Sequence, residues 1–284
     1  MVQAPVIVRS TTASGSAVYE SERAVHEYLQ FHYGTALVPY SFAPQDALDF
    51  LPRTVERCAS LTPVNRRTRA LDIGCAVGRA TFELSKFYDE VLGIDFSQPF
   101  VDAANQIKER GEMVYEAHIQ GDIREERCAK LPEGVKPSSV LFQQGDACNL
   151  PLSLGSCGRR TLAYLVFLAR SWSGKFDAVF ASNLLCRLPE PQKFLTGISR
   201  LINSGGILAL VSPYSWLEEY TAKDKWIGGV RDTEGNIVDS FSVIEQLLSK
   251  DFELLERQDY PFMIREHERK YQWGVSDGTY WKRK

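Results

Sequence analysis

Long hydrophobic runs are scarce in this chain of 284 residues. The longest, Thr161-Leu-Ala-Tyr-Leu-Val-Phe-Leu-Ala169, falls far short of the roughly twenty apolar residues that span a bilayer, so no membrane is expected as a partner. An excess of charge of either sign is missing too. The 33 Lys and Arg nearly balance the 36 Asp and Glu, and a net charge of −3 gives no electrostatic case for nucleic acid or an anionic surface. Cysteine ladders are absent: Cys58, Cys75, Cys128, Cys148, Cys157 and Cys186 form no C-x-x-C pair, and read as free thiols of a reducing compartment. The four histidines, His26, His32, His118 and His267, include no H-x-x-x-H pair, so no metal site is expected. No secretory leader is expected either. Residues 1–18 are rich in Ser, Thr and Ala, and 1–17 carry no acid, but their apolar core is only Val6-Ile-Val8, too short for an h-region. This stretch reads as a flexible arm, with a transit peptide as the alternative and the cytoplasm as the default location.

What is present begins with Arg69-Ala-Leu-Asp-Ile-Gly-Cys-Ala-Val-Gly-Arg79. A short apolar strand ends on an acid and turns through glycines into a helix; Gly74 and Gly78 allow a tight turn and a close backbone approach to a ligand. A second strand, Glu90-Val-Leu-Gly-Ile-Asp95, also closes on a carboxylate, about twenty residues past the loop, where βαβ units meet ribose hydroxyls. The loop lacks the middle glycine of G-x-G-x-x-G, and Asp72 before it would repel a pyrophosphate. S-adenosylmethionine carries an ammonium and a sulfonium and no phosphate. The pattern resembles motif I of class I S-adenosylmethionine-dependent methyltransferases, with Asp95 as the ribose acid. A nicotinamide dinucleotide site and an ordinary α/β turn are the alternatives.

The rest of the chain alternates. Tyr19 to Tyr33 reads as an amphipathic helix capped by Ser21 and stopped by Gly34, and a second helix is expected from Ala43 to Ser60, with Pro52 breaking or kinking it. Residues 19–68 are thus expected as a helical lid over a domain of residues 69–284. Further helices are expected over Ala80–Phe87, Ser97–Arg110 and Gln192–Ile202, and strands over Val140–Gln143, Phe176–Ala181 and Ile207–Val211. Gly121–Pro137 is charged and reads as an irregular insertion. Phe252–Tyr260 and Tyr271–Trp281 are strand-like and joined by a polar segment. Alternating β and α argues for a parallel, doubly wound sheet, whose ligands sit at the carboxyl ends of the strands. That rule brings Asp72, Asp95, Asp146 and Asn183 to one rim.

The class I resemblance implies a Rossmann-like, mostly parallel seven-stranded sheet with helices on both faces and an antiparallel C-terminal hairpin. It implies cofactor contacts from Asp72, Gly74, Cys75, Ala76, Gly78, Asp95, Phe96, Asp146, Ala147 and Asn183. Asp146 is expected at the adenine amine, or else as a solvated turn residue; Phe96 or Phe142 could pack on the adenine or be ordinary core.

Four stretches narrow the class: 19–34, YESERAVHEYLQFHYG; 261–273, PFMIREHERKYQW; Gly145-Asp-Ala-Cys-Asn-Leu-Pro151; and Asn183-Leu-Leu-Cys-Arg-Leu-Pro189. They resemble the methyltransferase of ovothiol biosynthesis, a family that methylates a ring nitrogen of 5-thiohistidine. Often that domain follows a sulfoxide synthase, so such a synthase or a lyase of the pathway is the implied partner. Tyr19, Arg23, Tyr28, His32, Arg187 and Arg265 are the expected substrate contacts. Asn183 is expected at the acceptor, and Glu266 or His267 as a base; an arginine suits a carboxylate bidentately. His32 could equally be a hydrogen-bonded core histidine, and 265–269 a solvated charged turn. Trp216, Tyr220 and Trp226 could close an aromatic pocket or be core. One departure is an insert at about residues 153–174, apolar and Arg-flanked, which reads as an added helix, an interface or translated non-coding sequence. Other readings are a methyltransferase for another small heteroaromatic or amino-acid acceptor, and a non-catalytic binding module.

Overall fold

The computed structural model describes residues 18–34, 38, 40–150 and 175–284. The arm at residues 1–17 and the insert at 153–174 lie outside the described residues.

The apolar cores of the strands pair into one seven-stranded sheet. In chain order its strands are β1 (Arg69–Ile73), β2 (Glu90–Asp95), β5 (Val140–Gln144), β6 (Phe176–Ser182), β7 (Ile202–Ser212), β10 (Phe252–His267) and β11 (Lys270–Arg283). Across the sheet the order is β10-β11-β7-β6-β1-β2-β5. Pairings from β5 through β7 are all parallel, and β11 alone runs antiparallel, between β7 and β10. The chain moves outward from β1 to β2 and β5, then returns to β6 on the other side of β1. That reversal opens a crevice at the carboxyl ends of β1 and β6.

Alternate residues feed two cores. Ala70, Ala178 and Phe180 face one side with helices α1 (Glu22–Tyr33), α2 (Phe50–Leu61), α3 (Arg79–Leu84) and α4 (Gln98–Arg110). Leu71, Ile73 and Val179 face the other, with α5 (Pro191–Gly197) and α6 (Ser240–Leu248). Among the described residues no helix is long and apolar enough to cross a membrane.

Several local expectations change. The stretch from Ala43 is a 3-10 turn, Gln45–Ala47, followed by α2 from Phe50. Pro52 lies in the first turn of α2, where no intrahelical N–H bond is lost, so it neither breaks nor kinks the helix. Helix α3 stops at Leu84, and the helix expected to reach Ile202 is α5 followed by a 3-10 turn, Ile198–Leu201. Helix α4 starts as read, with the Ser97 side chain accepting from Phe100 N and Gly111 stopping it at φ +81°. Gly121–Pro137, expected as irregular, holds the strand β4 (Ile123–Lys130), which pairs with the preceding β3 (Glu112–Gln120) in a hairpin. Its apolar face is Met113, Tyr115, Ala117, Ile119 and Ala129, of which only Tyr115, Ala117 and Ala129 are fully buried. The buried face packs on α1, where Tyr115 Oη donates to Gln30 Oε1 at 3.1 Å. A further short pair, β8 (Val230–Arg231) and β9 (Ile237–Val238), stands apart. The polar link expected after Tyr260 is instead the continuation of β10 to His267.

Candidate active site

A cavity of about 440 Å³ fills the crevice. Asp72, Gly74, Cys75, Ala76, Asp95, Phe96, Ala147 and Asn183 line it, together with Tyr19, Tyr28, His32 and Arg187.

The loop after β1 is fastened to β2, for Gly74 N and Cys75 N both donate to Ile94 O, at 2.8 and 3.0 Å. Gly74 has φ +78°, and a Cβ there would meet Leu184 Cδ1 at 2.9 Å. Gly78 has φ +88° and packs under Phe142, whose Cζ lies 2.7 Å from where a Cβ would stand. Gly78 therefore shapes the loop from beneath rather than lining the cavity, and Phe142 is core, edge-on to Phe82 at 5.2 Å. Ala76 takes φ +45° without being glycine, a conformation that costs on the order of 1–3 kcal/mol. Asp95 holds it there, with Oδ2 accepting from Ala76 N at 2.8 Å while Oδ1 accepts from Ser97 N at 2.9 Å.

Asp72 is buried and Asp95 half-buried. Burial pushes the Asp72 carboxyl up to about 7, against the Thr81 hydroxyl that donates to its Oδ2 at 2.6 Å and with the charge of Asp95 adding to the rise. Burial likewise raises Asp95 to about 6, opposed by the N–H groups of Ser97 and Ala76. Glu20 and Glu27 also line the cavity, so among the described residues four carboxylates face a single arginine, Arg187. This balance suits a cation and opposes a pyrophosphate.

Asn183 ends β6 at φ +52°, its N–H donating to Val211 O at 2.8 Å and its Oδ1 accepting from Ser276 Oγ at 2.7 Å. One wall is aromatic. Tyr19 stacks on Tyr220 at 5.9 Å and meets Tyr28 edge-on at 6.0 Å, and Tyr28 lies 4.7 Å from Phe100. Arg187 lies over Tyr220 at 4.7 Å, with Nη1 donating to Ser215 O at 2.8 Å. The Tyr28 hydroxyl is pushed up to about 12 by burial, so it stays protonated. His32 is held down at about 3 by burial and then by the Arg79 guanidinium, so its ring is neutral. Its ring is buried, and its Nδ1 has no hydrogen-bond partner.

Other residues expected at the site fall elsewhere. Asp146 does not line the cavity and turns both oxygens onto its own turn, accepting from Cys148 N at 2.8 Å and Asn149 Nδ2 at 2.5 Å. Arg23, Arg265 and Glu266 line a second cleft of about 520 Å³ between α1, the β3–β4 hairpin and β10. Glu266 pairs there with Lys270 at 2.7 Å. His267 stands beside His118, ring centres 5.5 Å apart, and lines neither cavity. The structure thus brings no base from residues 265–267 to the crevice, because β10 carries them past it. Trp216 is buried and donates to Ser240 Oγ at 2.9 Å, and Trp226 donates to Thr221 O, so of the three only Tyr220 lines the cavity. Sequence reasoning missed Glu20, Glu27 and Gln272. Glu27 sits next to Tyr28 on α1 and four residues from Arg23, with which it pairs at 2.8 Å.

The methyltransferase-domain family matches residues 42–257 of this chain. Among solved structures, the YcgJ protein of Bacillus subtilis is 12% identical, with a TM-score of 0.48 over 82% of this chain and 99% of that one. The magnesium protoporphyrin IX methyltransferase of Synechocystis PCC 6803, with bound SAM, is 14% identical, with a TM-score of 0.44 over 91% and 97% of the two chains. The N-methyltransferase NodS of Bradyrhizobium japonicum WM9 is also 14% identical, with a TM-score of 0.44 over 82% and 96%. The lining fits S-adenosylmethionine: Asp95 would meet ribose hydroxyls, Asp72 would meet the ammonium, and a carboxylate-rich cavity would suit the sulfonium. The chain belongs to the methyltransferase-domain family, and it is a Rossmann-like enzyme whose methyl donor is S-adenosylmethionine.

Proposed function

We propose that the protein methylates an imidazole ring nitrogen of 5-thiohistidine, the reaction of ovothiol biosynthesis. The observation that carries this reading is the wall of Tyr19, Tyr28 and Tyr220 with Arg187 at its edge, within the cavity that also holds Asp72 and Asp95. Such a wall takes a flat heteroaromatic ring on its faces, and the guanidinium pairs with the carboxylate of an amino acid.

The cofactor supplies an electrophilic methyl: the sulfonium S–C bond breaks as the ring nitrogen's lone pair forms the N–C bond, a neutral thioether leaves, and the ring N–H proton is released. The protein's part is alignment and a matched field. Asp72 and Asp95 hold the cationic and ribose ends of the donor. Tyr28, protonated, and His32, neutral, offer hydrogen bonds without adding positive charge beside a sulfonium. Glu20 and Glu27, in place of Glu266 and His267, are the carboxylates placed to take the released proton. A sulfoxide synthase or lyase that delivers the thiolated amino acid is the partner this reading calls for.

The test incubates purified protein with S-adenosylmethionine and either 5-thiohistidine or histidine, and maps the new methyl by NMR. Ring-nitrogen methylation of the thiolated compound alone is expected. Measurable cofactor binding without product from 5-thiohistidine would reject this acceptor and leave another flat heteroaromatic acid in its place.

A further inference from the structure

The acceptor proposed above has two nucleophiles, and its sulfur, as a thiolate, is softer and intrinsically better toward a methyl sulfonium than the ring nitrogen. A site that methylates nitrogen must therefore hold sulfur away from the methyl. The end of β6 shows how. Asn183 adopts a left-handed backbone, and its carboxamide is not free to turn: Oδ1 accepts from Ser276 Oγ, a side chain wholly buried on β11. Asn183 lines the cavity, and with its Oδ1 already engaged by Ser276 the Nδ2 amino group is the donor it can offer a ligand. The adjoining residue, Asp277, accepts from the hydroxyl of Tyr214, which follows β7 with φ +50°, at 2.8 Å. One antiparallel strand thus pins the strand ends on which the cavity is built.

We propose that Ser276 is a positioning residue that fixes Asn183 as a hydrogen-bond donor, and that this donor grips the electron-rich sulfur of the acceptor and leaves the ring nitrogen in line with the methyl. This rests on the heteroaromatic thiol as acceptor. A nitrogen lone pair aimed at the methyl cannot also accept a hydrogen bond, whereas a thiolate has lone pairs to spare.

Ser276→Ala and Ser276→Thr separate positioning from packing. For Ser276→Ala, the ratio of N-methyl to S-methyl product, read by NMR, is expected to fall about tenfold, the value of one hydrogen bond, with a higher KM for the acceptor. Binding of S-adenosylmethionine by calorimetry and the melting temperature are expected to stay near wild type. Ser276→Thr keeps the hydroxyl and is expected to restore the ratio. The side-chain amide ¹⁵N signals of Asn183 in the S-adenosylmethionine complex are expected to move in the alanine variant and not in the threonine variant. Wild-type product ratios and unmoved Asn183 signals in Ser276→Ala would overturn the proposal. So would equal losses of cofactor binding in both variants, which would make Ser276 a packing residue. If wild-type protein leaves 5-thiohistidine untouched, the acceptor reading and the sulfur grip fall together, and the Asn183 signals alone decide whether Ser276 positions the amide.

Discussion

Asp72 is an acid kept where an acid is uncomfortable. Its burial raises the carboxyl to about 7 in the free protein. In the unfolded chain the group titrates near the ordinary Asp value, so the folded state binds the extra proton between roughly pH 4 and 7. Its contribution to stability is therefore complete below that window and is lost as pH rises through about 7. A cationic ligand reverses this, because it needs the carboxylate. Affinity for S-adenosylmethionine is expected to rise from pH 5.5 to 8, with protons released on binding below about pH 7, and calorimetry in buffers of different ionisation heat checks it. In Asp72→Asn the pH slope should flatten, and the affinity at pH 8 should drop on the order of tenfold to a hundredfold, the worth of one charged hydrogen bond. A variant that binds as tightly as wild type at pH 8 would remove Asp72 from the cofactor. Gly78 tests packing instead. In Gly78→Ala a methyl would stand 2.7 Å from Phe142 Cζ at φ +88°, and a loss of about 1–3 kcal/mol in denaturant unfolding is expected.

Helix α1 is more than a cover. Ser21 caps its start, accepting from Ala24 N at 3.2 Å. Its last turn is tied to the glycine loop and α3: Tyr33 Oη donates to Val77 O at 2.9 Å, and Arg79 Nη1 donates to His32 O at 3.0 Å. Just before the helix, Tyr19 O accepts from Ser97 Oγ at 2.8 Å, the same residue whose N–H meets Asp95. The helix and both cofactor loops are thus one hydrogen-bonded assembly. Ser21→Ala should cost about 1 kcal/mol of local stability. Faster hydrogen exchange over residues 22–33, faster cofactor dissociation and unchanged exchange in β1 and β6 are the expected pattern. Slow exchange throughout would show that the β3–β4 hairpin, and not the cap, holds α1 in place.

Across the whole molecule, the cavity collects residues from distant parts of the chain: Tyr19, Asp72, Asn183, Tyr220 and Phe262. A ligand that touches all of these binds the folded state and has no comparable site on the unfolded chain. S-adenosylmethionine at a hundred times its Kd should therefore stabilise the protein by about 2.7 kcal/mol, seen as an upward shift of one cooperative thermal transition. A transition that splits on adding cofactor would mean that the N-terminal helices melt apart from the sheet.

The sequence by itself determined the sheet's parallel core, the glycine loop, the two strand-end acids and the caps at Ser21 and Ser97. Each is a local pattern: an apolar run, a glycine where φ is positive, a serine before a helix. The β3–β4 hairpin escaped because β4 is almost all charged or polar, with only Ala129 buried, and β10 ran on past Tyr260 because its partner is β11 rather than its own composition. Only the tertiary structure decided that Glu27 and Gln272 join the cavity and that Arg23, Arg265 and Glu266 line another cleft. It also decided that Asp146 caps its own turn and that Ser276 Oγ on β11 donates to Asn183 Oδ1. These depend on which strands lie side by side. Burial, pKa and side-chain orientation are set by neighbours tens to hundreds of residues away, and no local period carries that information.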